Sequence, residues 1–418
     1  MLRKGIVGIL LFFCLVHANA QNPPQQFNRA QLDGRQNTIT TAVPFLMITP
    51  DARSGAMGDA GVAAPDDVNA MHWNVSKLAF MEKKGGLAIS YTPWLRSLVP
   101  DVSLSYMSFY NRINNRSTIG GSLRYFSLGS IDFTDDYANS LGQFTPNELA
   151  FDFGYAQKLS DVFSVGIAFR YIYSNLSGGA QLANTINPGS SYAGDITAYY
   201  KDNTKYKSYK INYGFGAAIT NIGAKITYTS AQFEDFIPTN FRIGGYGQIE
   251  IDKYNTFALL IDFNKLMVPT PPIYETDANG QVVYEAGRPK ILFGERTDVP
   301  VVQGMLQSFT DAPGGLTEEL SEFNTSVGME YWYDKQFALR AGYFYEPYSK
   351  GNRQYATMGA GLRYNVFALD VAYLFSFMQR HPLDNTLRFT LGFDFAAFTK
   401  QREREGNSAP KGVFESPD

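Results

Sequence analysis

The sequence is poor in the residues that build redox and metal chemistry. It holds one cysteine, Cys14, and three histidines in 418 residues. One thiol cannot form an internal disulfide or a cysteine-rich metal site, and so few imidazoles leave little for zinc. Charged residues make up only 18% with a net charge of −3, which lacks the basic excess that nucleic-acid binding needs. After residue 20 no run reaches eighteen apolar residues, so no segment is long enough for a membrane-spanning helix. What remains is a soluble protein or a barrel that crosses a bilayer with strands.

The residues that are abundant favour the barrel. Aromatics reach 15%, with 27 Tyr and 32 Phe against 3 Trp, and there are 38 glycines for tight turns. The first twenty residues read as a secretory signal: Arg3 and Lys4, an apolar run from Ile6 to Val16, then Ala18, Asn19, Ala20 as a small-x-small cleavage pattern. Cleavage after Ala20 removes Cys14 and two cations, taking the 36 basic residues to 34 against 39 acidic, a net of −5.

Period-two alternation then recurs along the chain. In VFSVGIAFRYIYS (162–174), Phe163, Val165, Ile167, Phe169, Tyr171 and Tyr173 share one face, while Ser164, Gly166, Ala168, Arg170 and Ser174 share the other. About ten alternating residues span a tilted membrane strand, longer than the usual soluble strand. Arg170, Asp262, Arg340 and Asp394 fall opposite the large apolar residues, on the face that a lumen would receive. The pattern predicts an all-β transmembrane antiparallel barrel of about fourteen strands, near 85–95, 100–111, 116–129, 147–159, 161–175, 205–220, 222–231, 240–252, 254–265, 322–334, 336–347, 353–365, 366–378 and 386–398. Short connections at Ser160, Asn221, Asp252–Lys253, Asp334–Lys335 and Asn365 alternate with long ones at 130–146, 176–204 and 266–321. Short turns belong in the periplasm and long loops outside. The expected organisation is a signal peptide (1–20), an N-terminal periplasmic and hatch segment (21–84), the barrel (85–398) and a charged periplasmic tail (399–418).

The segment before the first strand is too apolar and too rich in glycine to be a solvated tail. It contains PFLMI (44–48), DARSGAMGDAGVAAPDDVNAMHWN (51–74) and KLAFM (77–81). Gly55, Gly58 and Gly61 lack the preceding strand and the cation of a phosphate cradle. They suit a plug inside the lumen, where small residues let backbone approach the wall and Asp66, Asp67 and Asn74 bond its polar groups.

No catalytic constellation emerges. His72 lies in the plug and His381 in an outer loop, so they cannot share a metal or a triad, and His381 with Asp384 has no convincing serine. Asp135–Asp136 and Glu318–Glu319 read as solvated loop charge. The protein is expected to be no enzyme, with no cofactor and no metal. The connection over 270–319 is far longer than barrel closure requires. Its apolar residues Tyr274, Val282, Val283, Tyr284, Ile291, Leu292 and Phe293 are the candidate partner-binding surface. Paired strand glycines, Gly120–Gly121 and Gly244–Gly245, offer a second reading: wall kinks at a lateral opening for uptake of hydrophobic small molecules, or relief of crowding beside the plug.

The stretch 51–74 resembles the N-terminal hatch of FadL-type outer-membrane channels, with Asn74, Val75 and Ser76 where those channels carry Asn-Pro-Ala. FNTSVGMEYWYDKQFALRAGYFYE and KGNRQYATMGAGLRYNVFALDVAYLF are similar to the PorV (LptO) family of the type IX secretion system of Bacteroidetes, a resemblance that spans Asp51 to Phe398. It implies a shuttle in the outer-membrane lipid. Such a shuttle takes cargo proteins by their C-terminal signal domains from the translocon barrel and hands them to the surface sortase and attachment complex.

Overall fold

The computed structural model describes residues 36–395, apart from 97–98, 100, 135–136, 138, 177–186, 230–233, 278 and 378–382. The signal peptide with its cleavage after Ala20, residues 21–35, Asp135–Asp136, His381 and the tail 399–418 lie outside the described residues.

Fourteen antiparallel strands close into one barrel. They are β1 (Gly85–Pro93), β2 (Val102–Arg112), β3 (Ser117–Leu128), β6 (Asn147–Lys158), β7 (Phe163–Asn175), β8 (Gly189–Tyr206), β9 (Tyr209–Gly223), β10 (Asn240–Glu250), β11 (Asn255–Leu266), β16 (Asn324–Tyr333), β17 (Phe337–Tyr345), β18 (Gln354–Tyr364), β19 (Phe367–Ser376) and β20 (Thr386–Asp394). The ring closes where β1 pairs with β20, from Gly86↔Asp394 to Tyr91↔Phe389. Six short strands form ribbons within the connections: β4 (Ile131–Thr134) with β5 (Ser140–Phe144), β12 (Ile273–Tyr274) with β15 (Ile291–Phe293), and β13 (Tyr284–Glu285) with β14 (Arg288–Pro289).

Alternation does what the sequence pattern requires. Along β7, Ile167 and Phe169 are exposed while Ser164 and Arg170 are buried. A continuous barrel leaves no unpaired edge, so every backbone polar group in the bilayer finds a partner. Large apolar residues form an outward belt, which with the closed barrel fits the outer membrane. Among the described residues no helix is long and apolar enough to cross a membrane.

The connections alternate strictly. One end carries the short turns 113–116, 159–162, 207–208, 251–254, 334–336 and 365–366; the other carries 94–101, 129–146, 176–188, 224–239, 267–323, 346–353 and 377–385. At the tight turns Lys207, Asp334, Lys335 and Asn365 adopt positive φ, the hairpin geometry that matches strand twist.

The strand count of fourteen holds, but two of its members differ. Residues 189–206, expected in the outer loop 176–204, form β8, and the segment 205–220 contains the 207–208 turn and most of β9. Polar Ser191, Asp195 and Thr197 face inward and KDNTK ends the strand, so its pattern resembles a loop. Among the described residues of 222–231 none beyond Gly223 lies in a strand; Ile226 makes one isolated bridge to Asp235 and belongs to the buried apolar cluster that includes Phe45 and Leu46. Its alternation reflects burial at the barrel mouth. Asn221 is not a turn. It sits in β9 with φ 60° opposite a register shift at Gly194/Ile196, where Asn tolerates the left-handed region.

Candidate functional site

Residues 42–81 lie within the barrel, bonded to strands around its circumference. The Ala52 amide donates to Thr390 Oγ1 on β20 at 2.8 Å, the Gly58 amide to Thr357 Oγ1 on β18 at 2.9 Å, and the Gly61 and Val62 amides to Asp262 Oδ2 on β11. Ser76 donates its amide to Thr197 Oγ1 on β8 and accepts from Ser164 Oγ on β7. Arg124 on β3 donates to the Leu46 carbonyl at 2.7 Å and meets His72 Nδ1 at 2.9 Å, while Arg242 on β10 donates to the His72 carbonyl. Buried backbone must find partners. This segment has little regular structure, so the inward polar side chains of the wall supply them.

Each singled-out residue has a definite place. A Cβ at Gly55 would run into the Arg388 side chain, and one at Gly61 into the Trp73 ring. Gly58 combines a φ of 67° with a wall so near that a Cβ would lie 2.6 Å from the Tyr343 backbone nitrogen, a geometry only glycine tolerates. Asp66 pairs with Lys201 of β8 at 2.7 Å. Asp67 pairs with Arg53 at 3.0 Å, and Arg53 is held in turn by Glu330 on β16. Asn74 donates to Val62 and Ala198 carbonyls and accepts from the Ser76 amide.

Sequence reasoning missed the wall's half of this contact. Gly166, Gly216, Gly328 and Gly342, each in mid-strand, face Ser76, Val62 and Met57–Gly58 of the segment so closely that a Cβ would collide with it. The available signal was a glycine on the polar face of an alternating strand. The paired glycines break no register: β3 keeps its pairing with β2 and β6 through Gly120 and Gly121, and β10 keeps its own through Gly244 and Gly245. Gly120 faces Leu78 and Met71 of the segment, and Gly244 faces the Asp262 carboxylate. A side chain at Gly120 or Gly244 would crowd these neighbours.

The segment reaches from the end where β1 begins to the long-loop end. Val43, Phe45 and Leu46 pack against Leu104, Phe126, Ile226 and Ile237 at the long-loop end, with Phe45 and Phe126 stacked at 6.2 Å. The Asn37 amide donates to the Ser349 carbonyl in the 346–353 loop at 2.8 Å. The apolar PFLM run explains it, because the mouth core of Val102, Leu104 and Phe126 needs apolar partners.

Across 267–323 the seven candidate contact residues lie in or beside the ribbon of β12–β15. Tyr284 is 65% exposed, Tyr274, Val282 and Leu292 are exposed, and Val283, Ile291 and Phe293 are half-buried. A bridge from Thr276 to Val282 and the Lys290–Glu275 pair at 2.7 Å order the ribbon. The Glu318–Glu319 pair is not solvated. Glu319 is buried and bonds Lys265 and the Ala312 amide, and Glu318 pairs with Lys350 at 2.6 Å. Beside them Asp311 accepts from the Thr270 amide. Burial, reinforced by Glu322 and Glu319, pushes its carboxyl up to about 6. Burial would also raise Glu318, but the bond and charge of Lys350 outweigh it and hold that carboxyl below its ordinary value.

The family described as Type IX secretion system protein PorV matches residues 31–273, more than half of the chain. No curated protein sequence matches. Among solved structures, the Ralstonia pickettii toluene transporter TbuX is 11% identical, with 82% of this chain and 97% of that one covered and a TM-score of 0.42. The Pseudomonas putida toluene transporter TodX is 10% identical over 81% and 95% of the two chains, TM-score 0.43. A Pseudomonas aeruginosa FadL homologue is 11% identical over 86% and 100%, TM-score 0.40.

Proposed function

The chain belongs to the PorV family of type IX secretion system proteins, and from that membership we propose that it is an outer-membrane shuttle. It receives cargo proteins from the translocon barrel by their C-terminal signal domains and delivers them to the surface sortase and attachment complex. It performs no chemistry itself. Family membership carries this reading, since it supports a role in type IX secretion, and the partners are proposed from that role. The long-loop end supports it with a surface suited to docking: a ribbon over 273–293 held by backbone pairing and presenting Tyr274, Tyr284 and Leu292. A stable protein contact takes about 800 Å² per partner, and an ordered apolar ribbon with a polar rim supplies a share of it.

The lumen fits this reading as a plug. Gly58, Asp66 and Asn74 tie residues 51–81 to several strands, so cargo is carried on the loops. The test is the fate of cargo in cells without the gene. The expected result is cargo released or retained with its signal domain uncleaved, and normal maturation would reject the shuttle. Removing 270–319 should lower co-purification of a tagged cargo domain while leaving the barrel folded.

A further inference from the structure

Strand register fixes the direction in which Lys265 points. Asp262 bonds Gly61 and Val62, and Arg242 bonds the His72 carbonyl, so both project into the lumen. The β10–β11 ladder runs without a shift through Gly244↔Asp262, Ile243↔Phe263, Arg242↔Asn264 and Phe241↔Lys265. Successive residues alternate faces, so Lys265 and Phe241 project from the outer, lipid-side face. Yet Lys265 is only 1% exposed. Its Nζ is paired with Glu319 and Glu322 and lies 5.5 Å from the Phe309 ring and 5.7 Å from the Phe323 ring. The 267–323 connection therefore covers the long-loop rim of the wall around Lys265, where Glu318 also accepts from Asn37 at 3.0 Å.

Two short helices lie in this part of the connection, Val301–Gln307 and Leu316–Ser321. The first is exposed along Val302, Leu306 and, just past its end, Phe309, with Leu306 at 70%. Those positions fall on one helical stripe. Gly304, on the other side, packs against Phe236 and Pro269. The stretch VPVVQGMLQSFT over 299–310 contains no charged residue. The second helix turns Glu318, Glu319 and Glu322 toward Lys350 and Lys265 and leaves Leu316 and Leu320 outside, Leu316 at 75%. A helix in water puts its charges on the solvent face; this one inverts that arrangement. Phe309, at the end of the first stripe, lies beside an outward-facing lysine, and Leu259 and Phe257 are exposed on that same face of β11. Phe309 thus lies at the long-loop end of the wall face that exposes Phe257 and Leu259 further down β11.

We propose that these two helices are an interfacial anchor, with Val302, Leu306, Phe309, Leu316 and Leu320 seated at the boundary between head groups and acyl chains of the outer leaflet. A helix with an apolar stripe lies in that layer without spanning it. The anchor divides the connection into a membrane-seated part and the 273–293 ribbon, which it leaves for protein partners. It does not depend on the shuttle reading, because the ligand is the bilayer itself.

The test uses the full chain with Cys14→Ser and one added cysteine, L306C, L320C or, as the aqueous control, Y284C. Each is labelled with an environment-sensitive fluorophore and reconstituted alone in phospholipid vesicles containing brominated lipid. The expected result is blue-shifted emission and several-fold stronger quenching at 306 and 320 than at 284. Equal quenching at all three would overturn the anchor. So would a blue shift that develops only when cargo or translocon barrel is added, which would assign the stripe to a protein. Where L306C does not give the heat-modifiable band of a folded barrel, V302C replaces it on the same stripe.

Discussion

Arg53 and Glu330, 277 residues apart in sequence, meet in a buried two-point ion pair, Nε to Oε2 at 3.0 Å and Nη2 to Oε1 at 2.9 Å. The pair ties the inner segment to β16 and belongs to a chain of charges: Arg340 also bonds Glu330, at 2.7 Å, and reaches Asp370 at 2.6 Å, while Asp67 holds the other side of Arg53. Removing one member of such a pair strands its partner without water, typically at a cost of about 3–5 kcal/mol. Arg53→Met and Glu330→Gln should each lower the temperature at which the unheated gel band converts to the unfolded form. Arg53→Met combined with Glu330→Gln should cost less than the two singles added, because the Arg53–Glu330 contact is then lost only once, while Asp67 and Arg340 each lose a partner as in the singles. Strict additivity would show that the pair is not coupled.

Gly58→Val places a branched side chain where φ is 67° and the Tyr343 backbone is in the way. The inner segment should loosen and cells should become more susceptible to large antibiotics that the outer membrane normally excludes. Gly247→Val is the matched control, since a Cβ there meets nothing within 4 Å. Unchanged susceptibility at normal protein level would remove the case for a plug.

Burial of Asp311 should make the packing of the long connection depend on pH. Its carboxyl is pushed from an ordinary 3.8 up to about 6 in the folded protein, so the folded form binds the proton more tightly. That contribution to stability is fully present below pH 3.8 and is lost as the pH rises through about 6. Protease cleavage within 267–323 should accelerate between pH 5 and 7, and Asp311→Asn should flatten the profile. Glu318, held below its ordinary 4.5, acts in the opposite sense, and its contribution fades only at pH values below 4.5. A profile that is flat in the unmodified protein would refute the role of Asp311.

The bond from Asn37 to Ser349 puts the start of the inner segment beside the long loops. With those loops outside the cell, a membrane-impermeant thiol reagent should label Thr38→Cys in intact cells, as it labels Tyr284→Cys. Ser208→Cys, in the 207–208 turn at the other end, should react only after the outer membrane is opened. Labelling of position 208 but not 38 in intact cells would invert the orientation.

The barrel was legible because its physics is local. A strand with lipid on one side and a packed lumen on the other must alternate, as Ile167 and Phe169 do against Ser164 and Arg170, and such alternation is written in consecutive residues. The reading failed where the inward residues are small and polar, as Ser191, Asp195 and Thr197 are in β8, or where burial at the mouth mimics a wall face. β8 closes on the polar run KDNTK before Tyr206, and Ile226 belongs to the buried cluster that includes Phe45 at the mouth. Glu318 and Glu319 read as solvated because their cations, Lys350 and Lys265, are distant in sequence.

By itself, then, the sequence determined that this chain crosses a membrane with about fourteen strands, which residues of twelve of them face the lumen, and that a glycine-rich segment before β1 needs burial. Only the tertiary structure decided what that segment touches: Gly58 against Tyr343, Arg53 on Glu330, Leu46 under Arg124. It also decided that the segment begins at the long-loop end, and that Lys265, outward by register, is roofed by the helices of the 267–323 connection. Alternation between neighbours is set by backbone geometry that every strand shares. Contacts between residues 46 and 124, or 53 and 330, exist only once the ring has closed, because closure alone brings those wall positions around one axis.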